Sequence, residues 1–131
     1  MGENTLIVLD ASALLALALG EPVGDFMIQT KKAITTISTV NMAEVQSRLV
    51  KIGHPPDKAW EDALSFVTMV EPYTAEQAKI AGNLITQTQR HGLSLGDRSC
   101  LALAMVLNSP VYTTDRIWQT LNIGIPIHIL R

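Results

Sequence analysis

The chain has 131 residues, 47% of them hydrophobic, and a formal charge of −2. That length suits one domain with a real core and is too short for two, so 1–131 is read as a single domain. One cysteine, Cys100, excludes an internal disulfide; the apolar stretch Leu6 to Leu19 is interrupted by Asp10 and too short to span a bilayer, and no leader pattern opens the chain, so a soluble cytoplasmic protein with no membrane partner is expected.

Thr5-Leu6-Ile7-Val8-Leu9 is an almost unbroken apolar run, the pattern of a strand buried on both faces of a parallel sheet. A helical pattern, Ala11 to Ala18, follows with no loop, so Asp10 stands where strand hands over to helix. That is the carboxyl edge at which open α/β sheets bind ligands. Pro22 to about Lys32 reads as a short helix begun by proline, and β-branched Ala33-Ile34-Thr35-Thr36-Ile37 as a second strand. Val40 to Ile52 is a helix with Val45, Leu49 and Ile52 at helical spacing, ended by Gly53 and set off by Pro55-Pro56. Asp57 to about Thr68 is a further helix with an apolar stripe of Ala59, Trp60, Ala63, Leu64 and Val67, and Met69 to Pro72 a brief edge strand.

Thr74-Ala75-Glu76-Gln77 has the form of a capping box opening a helix to about His91, where Gly92 stops it. Ser94-Leu95-Gly96-Asp97 opens an apolar helix to about Leu107. Pro110 to Thr114 is a strand with Asp115 at its end, Arg116 to Leu121 a short helix, and Ile127-His128-Ile129 a last strand. Strands alternating with helices predict an α/β fold: a three-layer α/β/α sandwich around a central, mostly parallel sheet of four to five strands.

Four carboxylates fall at strand ends or helix starts. Taken singly, each has a local explanation: Asp10 and Asp115 as N-caps, Asp97 closing a box with Ser94, Glu44 with Asn41. Taken together, a parallel sheet lines up its strand ends along one edge, so the topology can gather all four. Four carboxylates in one place need protons or hard cations, and an all-oxygen set suits Mg²⁺ or Mn²⁺.

The segments Asp10-Ala11-Ser12, Asn41-Met42-Ala43-Glu44, Ser94-Leu95-Gly96-Asp97-Arg98 and Tyr112-Thr113-Thr114-Asp115-Arg116 resemble, in order, the four acidic motifs of the PIN domain. Within that family they are similar to the VapC-like ribonuclease toxins of prokaryotic toxin–antitoxin pairs. The resemblance implies an endoribonuclease dependent on Mg²⁺ or Mn²⁺, with Asp10, Glu44, Asp97 and Asp115 as the catalytic, metal-binding acids. It implies supporting roles for Ser12 and Thr113, in-line attack by water that leaves a 5′-phosphate and a 3′-hydroxyl, a small antitoxin partner and a homodimer. Arg116 and Arg98 follow acids and can reach a phosphate or pair locally; Arg48 and Lys51 can flank RNA or lie on a solvated face. Committing four of the twelve acids to metal would leave eight against ten Lys and Arg, a balance that permits an RNA partner. His54, His91 and His128 lack metal-ligand spacing, and Trp60, Trp118 and Cys100 are expected in the core.

Two other classes compete. A receiver domain or an Asp-nucleophile phosphatase also places Asp after the first strand. Receivers need an acidic pair there and a later lysine after a strand, and the phosphatases a second Asp two residues on, where this chain has Ser12. A non-catalytic interaction module would use the acids only as caps.

Overall fold

Five parallel strands form the centre of the molecule, and the computed structural model describes residues 5–130. The strands are β1 (Thr5–Leu9), β2 (Ala33–Ser38), β3 (Met69–Glu71), β4 (Val111–Thr113) and β5 (Ile127–Ile129), in the order β3-β2-β1-β4-β5. β1 is thus the middle strand, which is why its sequence has no polar face. Side chains alternate across it. Ile7 and Leu9 enter a core with α1 (Ala11–Ala18), α2 (Phe26–Thr30), α3 (Thr39–Lys51) and α4 (Pro56–Leu64). Val8 enters a second core with Val111, Trp118 and α7 (Leu95–Leu107). Two cores on opposite faces make the predicted three-layer sandwich.

Helix α1 is apolar nearly all round and accordingly buries Ala13, Leu14, Ala16 and Leu17. Helix α7 ends on Asn108, which takes the left-handed conformation at φ 47°, a role asparagine tolerates because its short polar side chain bonds locally.

Three predicted helices are shorter or broken. The one expected over 22–32 is formed only over 26–30, because Gly24 turns the chain at φ 62°. Helix α4 stops at Leu64: Ser65 Oγ donates to the Asp62 carbonyl at 2.6 Å, and Thr68 N–H is drawn to the Thr35 carbonyl at 2.8 Å, feeding edge strand β3. The helix expected over 74–91 is divided into α5 (Ala75–Asn83), α6 (Ile85–Thr88) and a 3₁₀ turn over Gln89–His91. Gly82 and Asn83 are poor helix formers, and Thr88 Oγ1 bonds back to the Leu84 carbonyl at 2.8 Å, which bends a helix. Only half of the Thr74 capping box forms: Thr74 accepts from Gln77 N–H, while the Gln77 amide turns to the Pro72 carbonyl. Trp118 is fully buried as expected, but Trp60 is 40% exposed, so its place on the α4 stripe is at the rim. Among the described residues no helix is long and apolar enough to cross a membrane.

Candidate active site

The strand register builds the site. β4 lies beside β1, with Leu9 opposite Tyr112, and Asp10 N–H donates to the Tyr112 carbonyl at 3.2 Å. The last residue of β4, Thr113, therefore comes under the Asp10 carboxylate, although 103 positions separate them in the chain. β2 ends at Ser38, whose hydroxyl caps α3 by accepting from Val40 N–H; α3 then carries Glu44 to the same edge. Helix α7 packs against both α3 and β1 and brings Asp97.

Asp10, Ser12, Glu44, Asp97 and Asp115 line one cavity of about 440 Å³, with Ala11, Leu15, Ser47 and Arg48. Four acids expected at strand ends and helix starts thus do converge. Three of them are also caps: Asp10 accepts from Ala13 N–H at 2.8 Å, Asp115 from Ile117 N–H at 3.0 Å, and Asp97 forms the full reciprocal box with Ser94. A carboxylate has about four lone-pair positions, so capping one N–H leaves capacity for a ligand. Glu44 is no cap. It lies in the second turn of α3 and receives a bond from Asn41 Nδ2 at 2.8 Å.

Asp10 sits deepest, 4% exposed. Ser12 Oγ donates to its carboxylate at 2.7 Å, and Thr113 Oγ1 donates to Oδ2 at 2.6 Å. Each hydroxyl in turn accepts a backbone N–H at 3.0 Å, from Thr114 and Asp115 respectively, so both are oriented with their hydrogens toward Asp10. Burial pushes the Asp10 carboxyl up from 3.8 to about 6; these hydroxyls and the Ala13 N–H pull it back, and the nearby charge of Asp97 adds to the rise. Ser12 and Thr113, the residues expected to support the site, thus both hydrogen-bond the Asp10 carboxylate.

A hard divalent cation fits this chemistry. The donors are carboxylate and hydroxyl oxygens, and Asp10 is held up chiefly by burial and in small part by the charge of Asp97, a rise that a positive charge would oppose. Among the described residues no three His, Cys, Asp or Glu side chains stand close enough to enclose an ion by themselves.

The arginines divide. Arg48, one turn after Glu44, lines the cavity. Arg98 does not: its Nη1 donates to the Ala81 carbonyl at 2.9 Å and ties α7 to α5. Arg116 is exposed at the start of a 3₁₀ turn over Arg116–Thr120, beside Asp115 and outside the cavity lining. None of the three histidines lines the cavity; His128 stacks on Tyr112 and His91 bonds Thr120. Cys100 is buried with its thiol against the Leu9 carbonyl at 3.8 Å, and burial together with Asp10, Asp97 and Glu44 holds its pKa well up, so it is no nucleophile. Ser47 and Gly96 are the residues the sequence reading passed over. A Cβ on Gly96 would lie 2.6 Å from both Glu44 carboxylate oxygens.

Comparison with known proteins agrees with this architecture. The PIN domain family model matches residues 7–123. No curated protein sequence matches the chain significantly. Among solved structures, VapBC2 from Rickettsia felis bound to a promoter DNA fragment is similar over 97% of this chain and 100% of that one, with TM-score 0.75 and 16% identity. DNA-bound VapBC from Salmonella typhimurium is similar over 97% and 99%, with TM-score 0.75 and 17% identity. VapC20 from Mycobacterium tuberculosis, described as a sarcin–ricin loop cleaving toxin, is similar over 91% and 98%, with TM-score 0.64 and 17% identity. At such identities the structural likeness establishes the fold.

Proposed function

We propose, from the premise that this chain belongs to the PIN domain family, that it is a Mg²⁺- or Mn²⁺-dependent endoribonuclease and the toxin of a toxin–antitoxin pair. The observation that carries the reading is the convergence of Asp10, Glu44, Asp97 and Asp115 on one cavity at the carboxyl edge of the sheet. The likeness to VapBC complexes and to an RNA-cleaving VapC supports the RNA substrate and a small antitoxin as partner. A homodimer accords with the same family.

The roles follow from position. Asp10 and Asp97 would hold the ion, directly or through water, and Ser12 and Thr113 fix the Asp10 carboxylate by hydrogen bonds. A bound divalent ion neutralises the scissile phosphate and lowers the pKa of a water. Glu44 and Asp115 would complete the shell of the ion or place a second ion and the attacking water. Arg48 contacts a substrate phosphate at the cavity rim, and Arg116, exposed beside Asp115, flanks the bound RNA. The Asp-nucleophile alternative is disfavoured by Ser12, whose hydroxyl is spent on Asp10 where that chemistry wants a second acid.

The test is incubation with total cellular RNA under Mg²⁺, Mn²⁺ or EDTA. Discrete fragments with 5′-phosphate and 3′-hydroxyl ends, lost in EDTA and restored by Mn²⁺, are expected; RNA left intact under every condition rejects the reading. Arg48→Ala is expected to raise KM for RNA about tenfold with kcat little changed, the signature of a charged contact made equally in ground and transition states. An unchanged KM removes Arg48 from the substrate path.

A further inference from the structure

The four acids are unequally supported. Asp10, Asp97 and Asp115 each cap a helical turn and are fixed by backbone N–H groups. Glu44 has a longer side chain on the exposed side of α3 and no such anchor. What holds it comes from two residues.

The first is Asn41, one turn earlier and 1% exposed. Its Nδ2 donates to Glu44 Oε1 at 2.8 Å and to the Gly96 carbonyl at 3.0 Å. Both amide hydrogens are thereby used, one on α3 and one on α7, so the planar amide sets the spacing between carboxylate and carbonyl. The amide has only one workable orientation: reversed, its oxygen would face two acceptors. The second is Gly96, at the second position of α7, where glycine is a poorer choice than alanine for the helix itself. Its missing Cβ is the space the Glu44 carboxylate occupies, with Cδ at 2.8 Å from where that atom would stand.

We propose that Asn41 and Gly96 are positioning residues that seat the Glu44 carboxylate against the first turn of α7, beside Asp97. The inference rests on the nuclease reading. Asn41 acts as a clamp from one side and Gly96 as an empty seat on the other. Neither touches substrate, and each works only through Glu44. The pairing ties the placement of Glu44 to the α3–α7 contact.

The experiment is a double-mutant cycle read in Mn²⁺ affinity by titration calorimetry, in kcat and KM for RNA cleavage, and in thermal unfolding. Asn41→Ala and Gly96→Ala are each expected to weaken Mn²⁺ binding or kcat about 10–100-fold, the usual range for residues that orient a metal-site carboxylate, with KM for RNA unchanged. In a Glu44→Ala background neither substitution should cause further loss, because the group it positions is gone. Equal losses with and without Glu44 would overturn the proposal, as would no loss in the wild-type background. Gly96→Ala keeps the test open should Asn41→Ala fail to fold, since the added methyl meets the end of a flexible side chain. Asp97→Asn separates the two levels. If it abolishes cleavage while Asn41→Ala and Gly96→Ala match wild type, only the positioning claim falls; if the wild type neither binds Mn²⁺ nor cuts RNA, the nuclease reading falls and takes the positioning claim with it.

Discussion

Replacing Asp97 with asparagine is expected to lower kcat for divalent-dependent RNA cleavage by about 10²–10³-fold, the range seen when a preorganised electrostatic group is removed, while leaving the fold almost as stable. The two effects separate because Asp97 has two jobs that depend on different properties. As the third residue of α7 it accepts the Ser94 N–H at 2.9 Å, and an asparagine carbonyl oxygen can do the same. Its own N–H is bonded by Ser94 Oγ at 3.2 Å, which does not depend on the side chain at all. The lost charge forfeits about 0.3–1 kcal/mol of interaction with the helix N-terminus. It also removes a like charge near Asp10, which acts in the opposite direction and is a smaller influence there than burial. What asparagine cannot replace is a negative charge facing a cation. Single-turnover cleavage in Mn²⁺ beside a thermal melt measures both quantities. Undiminished cleavage by a folded Asp97→Asn protein would remove Asp97 from the machinery.

The features that were legible in the sequence are those fixed by the sheet. The apolar run ending in Asp10 and the similar run ending in Asp115 specify strands in a parallel sheet, and parallel strands put their carboxyl ends on one edge. Capping and site-building look like alternatives from sequence, yet Asp10, Asp97 and Asp115 do both: each accepts a backbone N–H and also lines the cavity. What could not be read were contacts made only when two helices dock. The sequence offers Asn41 only a local box with Glu44, whereas its second amide hydrogen reaches the Gly96 carbonyl, 55 positions away. Glycine just inside the start of α7 was a cue, being costly for the helix and so in need of a tertiary reason. The broken helix after Thr74 was hidden because periodicity registers apolar faces and is blind to threonine hydroxyls that bond back to the main chain.

In the metal-free protein, stability is expected to rise as pH falls from 7 to 4, and Asp10→Asn should abolish most of that rise. The Asp10 carboxyl stands at about 6 in the folded protein against 3.8 as its ordinary value. Between those pH values the folded state keeps a proton that the unfolded chain releases, so acid favours folding. The contribution is fully present below about pH 3.8 and is lost as pH rises through about 6. Its full size is about 3 kcal/mol, or roughly 10 °C in Tm for a domain of this length. Asparagine is neutral at every pH in the window; its carbonyl oxygen can keep the Ala13 N–H and its NH₂ can face Thr113 Oγ1 once that hydroxyl turns its hydrogen to Ser12 Oγ, 3.2 Å away. The variant should therefore be more stable than wild type at pH 7 without metal, yet inactive, which is the trade expected where a site holds a buried charge for function. Mn²⁺ should reverse the order, stabilising wild type at neutral pH by replacing the missing counter-charge and doing little for the variant. Chemical denaturation of both proteins at pH 4, 5, 6 and 7, with and without Mn²⁺, reads all of this in one series. Parallel stability curves for the two proteins across that range would mean that Asp10 ionises in the fold as easily as in the open chain, and that its burial places no demand for a cation on the site.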